Sequence, residues 1–253
     1  MKQRKVAIIT GGGAGIGKAI AEVLSKSGNT VVIADVNKED GMRVASLTRG
    51  RFIYTDLSRR SECENLVKET IRQLGSVDIL INNAGFQHMG PIEDFPEETW
   101  DQMLSVMLTA PFLLTKYVWP SMKVRNWGRI VNISSILGLV ASQFKSAYVT
   151  SKTGLIGLTR ATALEGGAFG ITANAICPAY VHTHLLDAQI ADSAHFYGIR
   201  PQDVVGKIML EPAAIKRLVE PREIAALVQY LCSDEASAIT GVALPIDLGW
   251  TAK

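Results

Sequence analysis

Val6-Ala7-Ile8-Ile9-Thr10-Gly11-Gly12-Gly13-Ala14-Gly15-Ile16-Gly17 is the stretch that decides the fold. Its first five residues form an apolar run too short for a typical helix. From Gly15 to Ser27 the spacing changes: Ile16, Ile20, Val23 and Leu24 fall on one helical stripe, and Gly28 follows as a stop. A glycine-rich turn therefore joins a strand to a helix. Glycines at this place permit a tight turn, close backbone approach to a pyrophosphate, and close helix–strand packing. The amides and dipole of the helix N-terminus then receive phosphate charge. Thr10, Gly11, Gly15, Ile16 and Gly17 are the candidate cofactor-binding residues of this turn. Lys18 is followed by Ala19, so the Lys-Ser/Thr continuation of a nucleoside-triphosphate loop is missing.

The same alternation continues along the chain. Short Val- and Ile-rich runs recur at Thr30–Asp35, Arg51–Tyr54, Val77–Asn82, Arg129–Ser134, Thr172–Cys177 and Val242–Asp247. Continuous apolarity suits parallel strands covered on both faces. Amphipathic stretches lie between them, and Ser61-Glu62-Cys63-Glu64 reads as a capping box. The expectation is one doubly wound α/β domain over residues 1–253. Residues from about 179 to 219 leave a strand end and are expected to form a substrate lid, because ligands in such sheets bind beyond the carboxyl ends of the strands. Asp35 ends the second strand eighteen positions after Gly17. An acid near that offset accepts hydrogen bonds from the adenosine ribose and repels a 2′-phosphate, so NAD is favoured over NADP. The competing reading is a solvated strand-end acid, with Lys38 nearby.

Composition narrows the class. The 253 residues are 47% apolar and carry 26 basic against 24 acidic side chains, a net charge of +2. Disorder is excluded, and nothing calls for nucleic acid or a membrane surface. Cys63, Cys177 and Cys232 are too scattered for a disulfide framework or a metal-binding pair and read as small buried hydrophobes. No metal is expected. The apolar run at the start is too short for a secretory signal, so the expected location is cytoplasmic.

Asn132-Ile133-Ser134-Ser135 ends another strand, Tyr148 follows thirteen residues after Ser135, and Lys152 comes four later. In a helix the last two share a face. Hydride transfer to a ketone leaves alkoxide charge that needs a proton. A tyrosine alone, with a pKa near about 10, is a poor base at neutral pH, and a neighbouring ammonium favours tyrosinate. The candidate roles are Tyr148 as general acid/base, Lys152 as its electrostatic tuner, and Ser135 as hydrogen-bond partner of the substrate oxygen.

Thr10–Gly17 (TGGGAGIG), Asn82–Gly85 (NNAG), Ser135 and Tyr148–Lys152 (YVTSK) resemble the short-chain dehydrogenase/reductase family over essentially the whole chain. The resemblance implies a Rossmann-type parallel seven-stranded sheet in the order 3-2-1-4-5-6-7, a helical lid and a homotetramer. Asn82–Trp100, Gly138–Tyr148, Ile171–Pro178 and Gly249–Lys253 resemble the branch of the family that interconverts D-3-hydroxybutyrate and acetoacetate with NAD. By that resemblance Gln87, Lys145 and Gln189 hold the substrate carboxylate and Trp250 closes the pocket. Asp56, Leu57, Asn83, Ala84, Gly85, Pro178, Val181 and Thr183 join Tyr148 and Lys152 around the cofactor. From the residues alone, Lys145 stays open between a carboxylate anchor and a solvated helix-start lysine, and the two glutamines between ligands and surface amides.

The chain departs from the family pattern at four places. Leu137 stands two positions after Ser135, where the hydroxybutyrate branch has a polar side chain, often histidine. His182 or His184 is a candidate replacement. Met107 stands where the family has asparagine, and Pro178-Ala179 and Leu248-Gly249 replace a Pro-Gly and a Gly-Gly pair. The functional expectation is oxidoreduction of D-3-hydroxybutyrate, with another small hydroxy or oxo acid next. A 3-oxoacyl-thioester reductase is disfavoured by Asp35, and a non-catalytic dinucleotide sensor by the intact Ser135, Tyr148 and Lys152.

Overall fold

The computed structural model describes residues 4–183 and 185–252. The seven expected strands form: β1 (Val6–Thr10), β2 (Thr30–Asp35), β3 (Arg51–Tyr54), β4 (Ile79–Asn82), β5 (Gly128–Ile133), β6 (Ile171–Pro178) and β7 (Ala243–Ile246). They make a single parallel sheet in the order β3-β2-β1-β4-β5-β6-β7. The helices between them are α1 (Gly15–Lys26), α2 (Lys38–Thr48), α3 (Arg60–Leu74), α4 (Glu97–Leu104), α5 (Ala110–Arg125), α6 (Ser146–Gly166), α7 (Leu185–Tyr197), α8 (Pro201–Val204) and α9 (Pro221–Leu231).

The alternating side chains of the inner strands feed two cores. Ile9, Ile33, Ile81 and Val131 pack with Ile20 and Leu24 of α1 and Ile224 and Val228 of α9. Ile8, Val32, Leu80 and Ile130 pack with Leu66 of α3 and Leu114 and Val118 of α5. Both faces being covered explains why these strands read as unbroken apolar runs. Cys63, Cys177 and Cys232 are all buried free thiols.

One local expectation is corrected and one departure explained. Ser61 does not cap α3. The helix starts at Arg60 without a side-chain cap, and Glu62 Oε2 instead accepts the Asp56 amide at 2.6 Å. Glu64, the acid of the expected box, pairs instead with Lys68 one turn on, at 2.6 Å. Leu248 accounts for the altered glycine pair: it lies at φ 58 and Gly249 at φ 77, and the Leu248 carbonyl accepts the amides of Ala214 and Ile215. Two consecutive left-handed residues are what a glycine pair would accommodate without strain.

Beyond β6 the described residues include α7, α8 and a π-helical turn at Val205–Met209, and Ala188, Gln189 and Asp192 of α7 line the cleft at the strand ends. Leu186, Ala194, Val204 and Met209 form a separate small core there, with Tyr180, Ile190 and Leu218 against it. The segment is tied down where it leaves β6, because Val181 pairs with Val219 and the His182 amide donates to the Val219 carbonyl. No helix among the described residues is long and apolar enough to cross a membrane.

Candidate active site

A cleft of about 580 Å³ runs along the carboxyl ends of the strands, from Asp35 and Asp56 at one end to Lys145 and Gln189 at the other. At its dinucleotide end, Gly11 and Gly15 adopt φ 60 and φ 50, and a Cβ on Gly17 would collide with the Gly11 carbonyl oxygen. The turn needs glycine at these three positions for geometric reasons. The first turn of α1 has no side-chain cap, which leaves its leading amides free to receive an anion. A dinucleotide pyrophosphate fits this cradle.

Asp35 closes the same end. Its Oδ2 accepts the Gly13 amide and its Oδ1 the Asn37 amide, each at 2.9 Å. An ionised carboxylate has about four acceptor sites, so two anchoring bonds leave capacity for ribose hydroxyls. Asp56, Leu57, Ala84 and Gly85 line the cleft beyond it, with Ile16, Asn83, Pro178, Val181 and Thr183. Thr10 and Gly17 stand behind this lining. Thr10 Oγ1 accepts the amides of Asn83 and Ala84 at 2.9 and 3.1 Å, and the Asn83 side chain donates to the Thr10 carbonyl. They stitch β1 to the segment after β4 and so shape the wall.

Ser135, Tyr148 and Lys152 meet in mid-cleft. Ser135 is 8% exposed, and its Oγ accepts the Leu137 amide at 3.1 Å. Lys152 Nζ donates to the Ile133 carbonyl at 2.8 Å and lies 5.5 Å from the centre of the Tyr148 ring. Burial lowers the Lys152 ammonium to about 8. Burial also raises the Tyr148 phenol, and the Ser135 hydroxyl beside it only partly opposes that shift. In the protein alone, desolvation of the phenol therefore works against the lowering expected from Lys152 and favours the protonated form.

The far end carries the substrate candidates. Lys145 is 2% exposed, so the solvated-lysine reading fails. It caps α6 rather than lying within its first turn, and its Nζ sits 5.6 Å from the centre of the Tyr180 ring. Burial pushes its ammonium down to about 8, and the Asp192 charge opposes the shift. Gln87 lines the cleft with a buried Nε2 that has no hydrogen-bond partner among the described residues. An orphaned buried donor is costly unless an acceptor arrives. Gln189 lines the same end.

Trp250 is not among the residues lining the cleft; its indole donates to the Met209 carbonyl at 3.1 Å. Nor does His182 replace the polar group lost at Leu137. It is largely exposed and pairs with Glu220 at 3.4 Å, because the bridge to Val219 turns it toward the start of α9. His184 lies outside the described residues. Leu137 itself is 4% exposed and lines the cleft as an apolar wall. Met107 is buried in a π-helical turn between α4 and α5. Its Sδ packs beneath Gly85, where an added Cβ would lie 3.0 Å from the sulfur and 3.7 Å from Lys152 Nζ.

Asp192, Tyr180 and Gln102 also line the cleft and were not anticipated. Asp192 lies three residues after Gln189 on α7, so the helical i,i+3 spacing was its available signal.

Residues 5–194 match the profile of the short chain dehydrogenase family. The chain is 42% identical to a D-beta-hydroxybutyrate dehydrogenase of Rhizobium meliloti, over 98% of this chain and 99% of that protein. It is 38% identical to a D-beta-hydroxybutyrate dehydrogenase of Cupriavidus necator over the full length of both. An acetoacetyl-CoA reductase of Shinella zoogloeoides is 36% identical over 94% of each chain.

Proposed function

The chain belongs to the short-chain dehydrogenase family and is an oxidoreductase, and on that premise we propose that it interconverts D-3-hydroxybutyrate and acetoacetate with NAD. One observation carries the substrate reading: a buried ammonium, Lys145, shares the end of the cleft with the unpartnered amide of Gln87. A buried cation and a waiting donor at one end of a cleft suit a carboxylate. Gln189 adds a third polar group from the covering helix. A free acid uses all three, whereas a thioester brings no negative charge to the ammonium.

When bound, the nicotinamide ring supplies the hydride acceptor for oxidation and the donor for reduction. In oxidation Tyr148 Oη takes the proton from the substrate hydroxyl, and in reduction it returns that proton to the ketone oxygen. Ser135 Oγ donates to the same oxygen and holds it against Tyr148. Lys152, braced on the Ile133 carbonyl, sets positive charge beside the phenol and stabilises tyrosinate as it forms. Thr183 and Pro178 line the same cleft, and the amides of the glycine turn and of α1 would hold the pyrophosphate. Asp35 favours NAD, since its carboxylate repels a 2′-phosphate. A homotetramer is the expected assembly.

Leu137 favours a second reading, another small hydroxy or oxo acid, because it removes one donor from the carboxylate end. The test is NADH formation from NAD with D- and L-3-hydroxybutyrate in parallel with a panel of other hydroxy acids. D-selective turnover supports the proposal. Silence with both enantiomers, alongside turnover of another acid, replaces it with the second reading.

A further inference from the structure

Phe144 stands at φ 62, a left-handed conformation that a bulky side chain rarely adopts. Arg49 and Asn126, by contrast, have positive φ because they terminate α2 and α5. Phe144 terminates nothing. It immediately precedes Lys145, and such a conformation persists only where the surroundings over-determine it.

Those surroundings come from two directions. The Gly90 amide donates to the Phe144 carbonyl at 2.9 Å, which ties it to the loop that carries Gln87. Its ring stacks on Phe196 at 5.3 Å and 26° and meets Tyr197 edge-on at 5.8 Å. Ser142 Oγ lies 3.4 Å from the Tyr197 hydroxyl. Phe196 and Tyr197 form the last turn of α7. Gln189, Asp192 and Phe196 are spaced i, i+3 and i+7, so they share one face of that helix. The seat of Phe196 therefore fixes where Gln189 and Asp192 enter the cleft.

We propose that Phe144 is a positioning residue for the carboxylate end of the pocket. Its left-handed backbone turns Lys145 inward, and its ring is the seat on which the end of α7 docks. Lys145, Gln87 and Gln189 are thereby held in one register although they come from three separate segments. A glycine would make the turn without strain; only an aromatic side chain also makes the seat. The inference rests on the reading of Lys145 and Gln189 as substrate-binding residues.

The experiment compares Phe144→Gly, which tolerates the turn but lacks the ring, with Phe144→Tyr, which keeps the ring. For the glycine variant, KM for the acid should rise roughly three- to tenfold, the range that an aromatic pair is worth. NADH affinity should not move. The tyrosine variant should restore KM to near the wild-type value. In a Lys145→Ala background the glycine substitution should change KM less than about twofold, because coupled residues are non-additive. An equal rise in both backgrounds overturns the proposal. Amide exchange of residues 190–197 supplies a readout independent of substrate identity: Phe144→Gly should accelerate it while leaving the interior of α6 protected. Unchanged exchange overturns the docking role even if the wild-type enzyme turns over no hydroxybutyrate, an outcome that would by itself refute only the substrate reading. If Phe144→Gly fails to fold, Phe196→Ala removes the same stack from the other side, with the same expected and overturning results.

Discussion

Lys145→Met should weaken substrate binding and stabilise the protein at the same time. The ammonium is 2% exposed and is held at about 8 instead of its ordinary 10.5, chiefly by burial. Keeping it charged in the folded state thus costs on the order of 3 kcal/mol at neutral pH. The sign follows from linkage. A lysine with a depressed folded pKa destabilises the fold fully below about 8, and the penalty fades as pH rises toward 10.5. Methionine fills a similar volume without charge, so the melting temperature should rise at pH 7, by up to roughly 10 °C for a chain of this size. Binding moves the other way. Removing one partner of a buried, hydrogen-bonded charge pair costs about 2–5 kcal/mol, or roughly 30- to 4,000-fold in affinity. With the cation gone, the substrate carboxylate also faces Asp192. Scanning fluorimetry and steady-state kinetics on one preparation read both effects. An unchanged KM refutes the anchor. A raised KM with a lowered melting temperature refutes the energetic argument, since Lys145 would then be a structural support.

Three further outcomes are expected. Because burial raises the Tyr148 phenol, the base form needed for oxidation grows with pH: kcat for oxidation should climb on the alkaline side and kcat for reduction should fall, while KM for the acid rises above about pH 8 as Lys145 loses its proton. Initial rates in both directions across pH check this, and a flat oxidation profile would contradict it. Asp35→Ser should lower kcat/KM for NAD by roughly 10- to 150-fold, the worth of hydrogen bonds to a charged group, and admit NADP; unchanged cofactor preference would remove Asp35 from the site. Leu137→His returns a donor to the cleft wall and should lower KM for 3-hydroxybutyrate by roughly tenfold; no change would mean that the carboxylate does not reach that wall.

The strands were legible because strands buried on both faces announce themselves as Val/Ile runs, their order only through the family resemblance, and the glycine turn because its backbone geometry admits no other residue at three positions. Tyr148 and Lys152 were legible through helical spacing taken together with the glycine turn and Ser135 at a strand end. Ser61 misled because the helix begins one residue before it, after Arg59, which leaves Ser61 inside the first turn where its hydroxyl caps nothing. The ammonium-tuned Tyr148 was overestimated because charge proximity was counted and desolvation was not. Phe144 was invisible, and Asp192 offered only its spacing from Gln189, for another reason. Their roles depend on α7 crossing the cleft, and no local pattern records where a helix docks.

The most direct test of the central claim compares kcat/KM for reduction of acetoacetate with that for an acetoacetyl thioester, under NADH and one set of conditions. A site built around Lys145 and Gln87 to bind a carboxylate predicts that the free acid is preferred by about a hundredfold or more. Equal values, or a preference for the thioester, would contradict it and assign the pocket to the reductase chemistry named for one of its relatives.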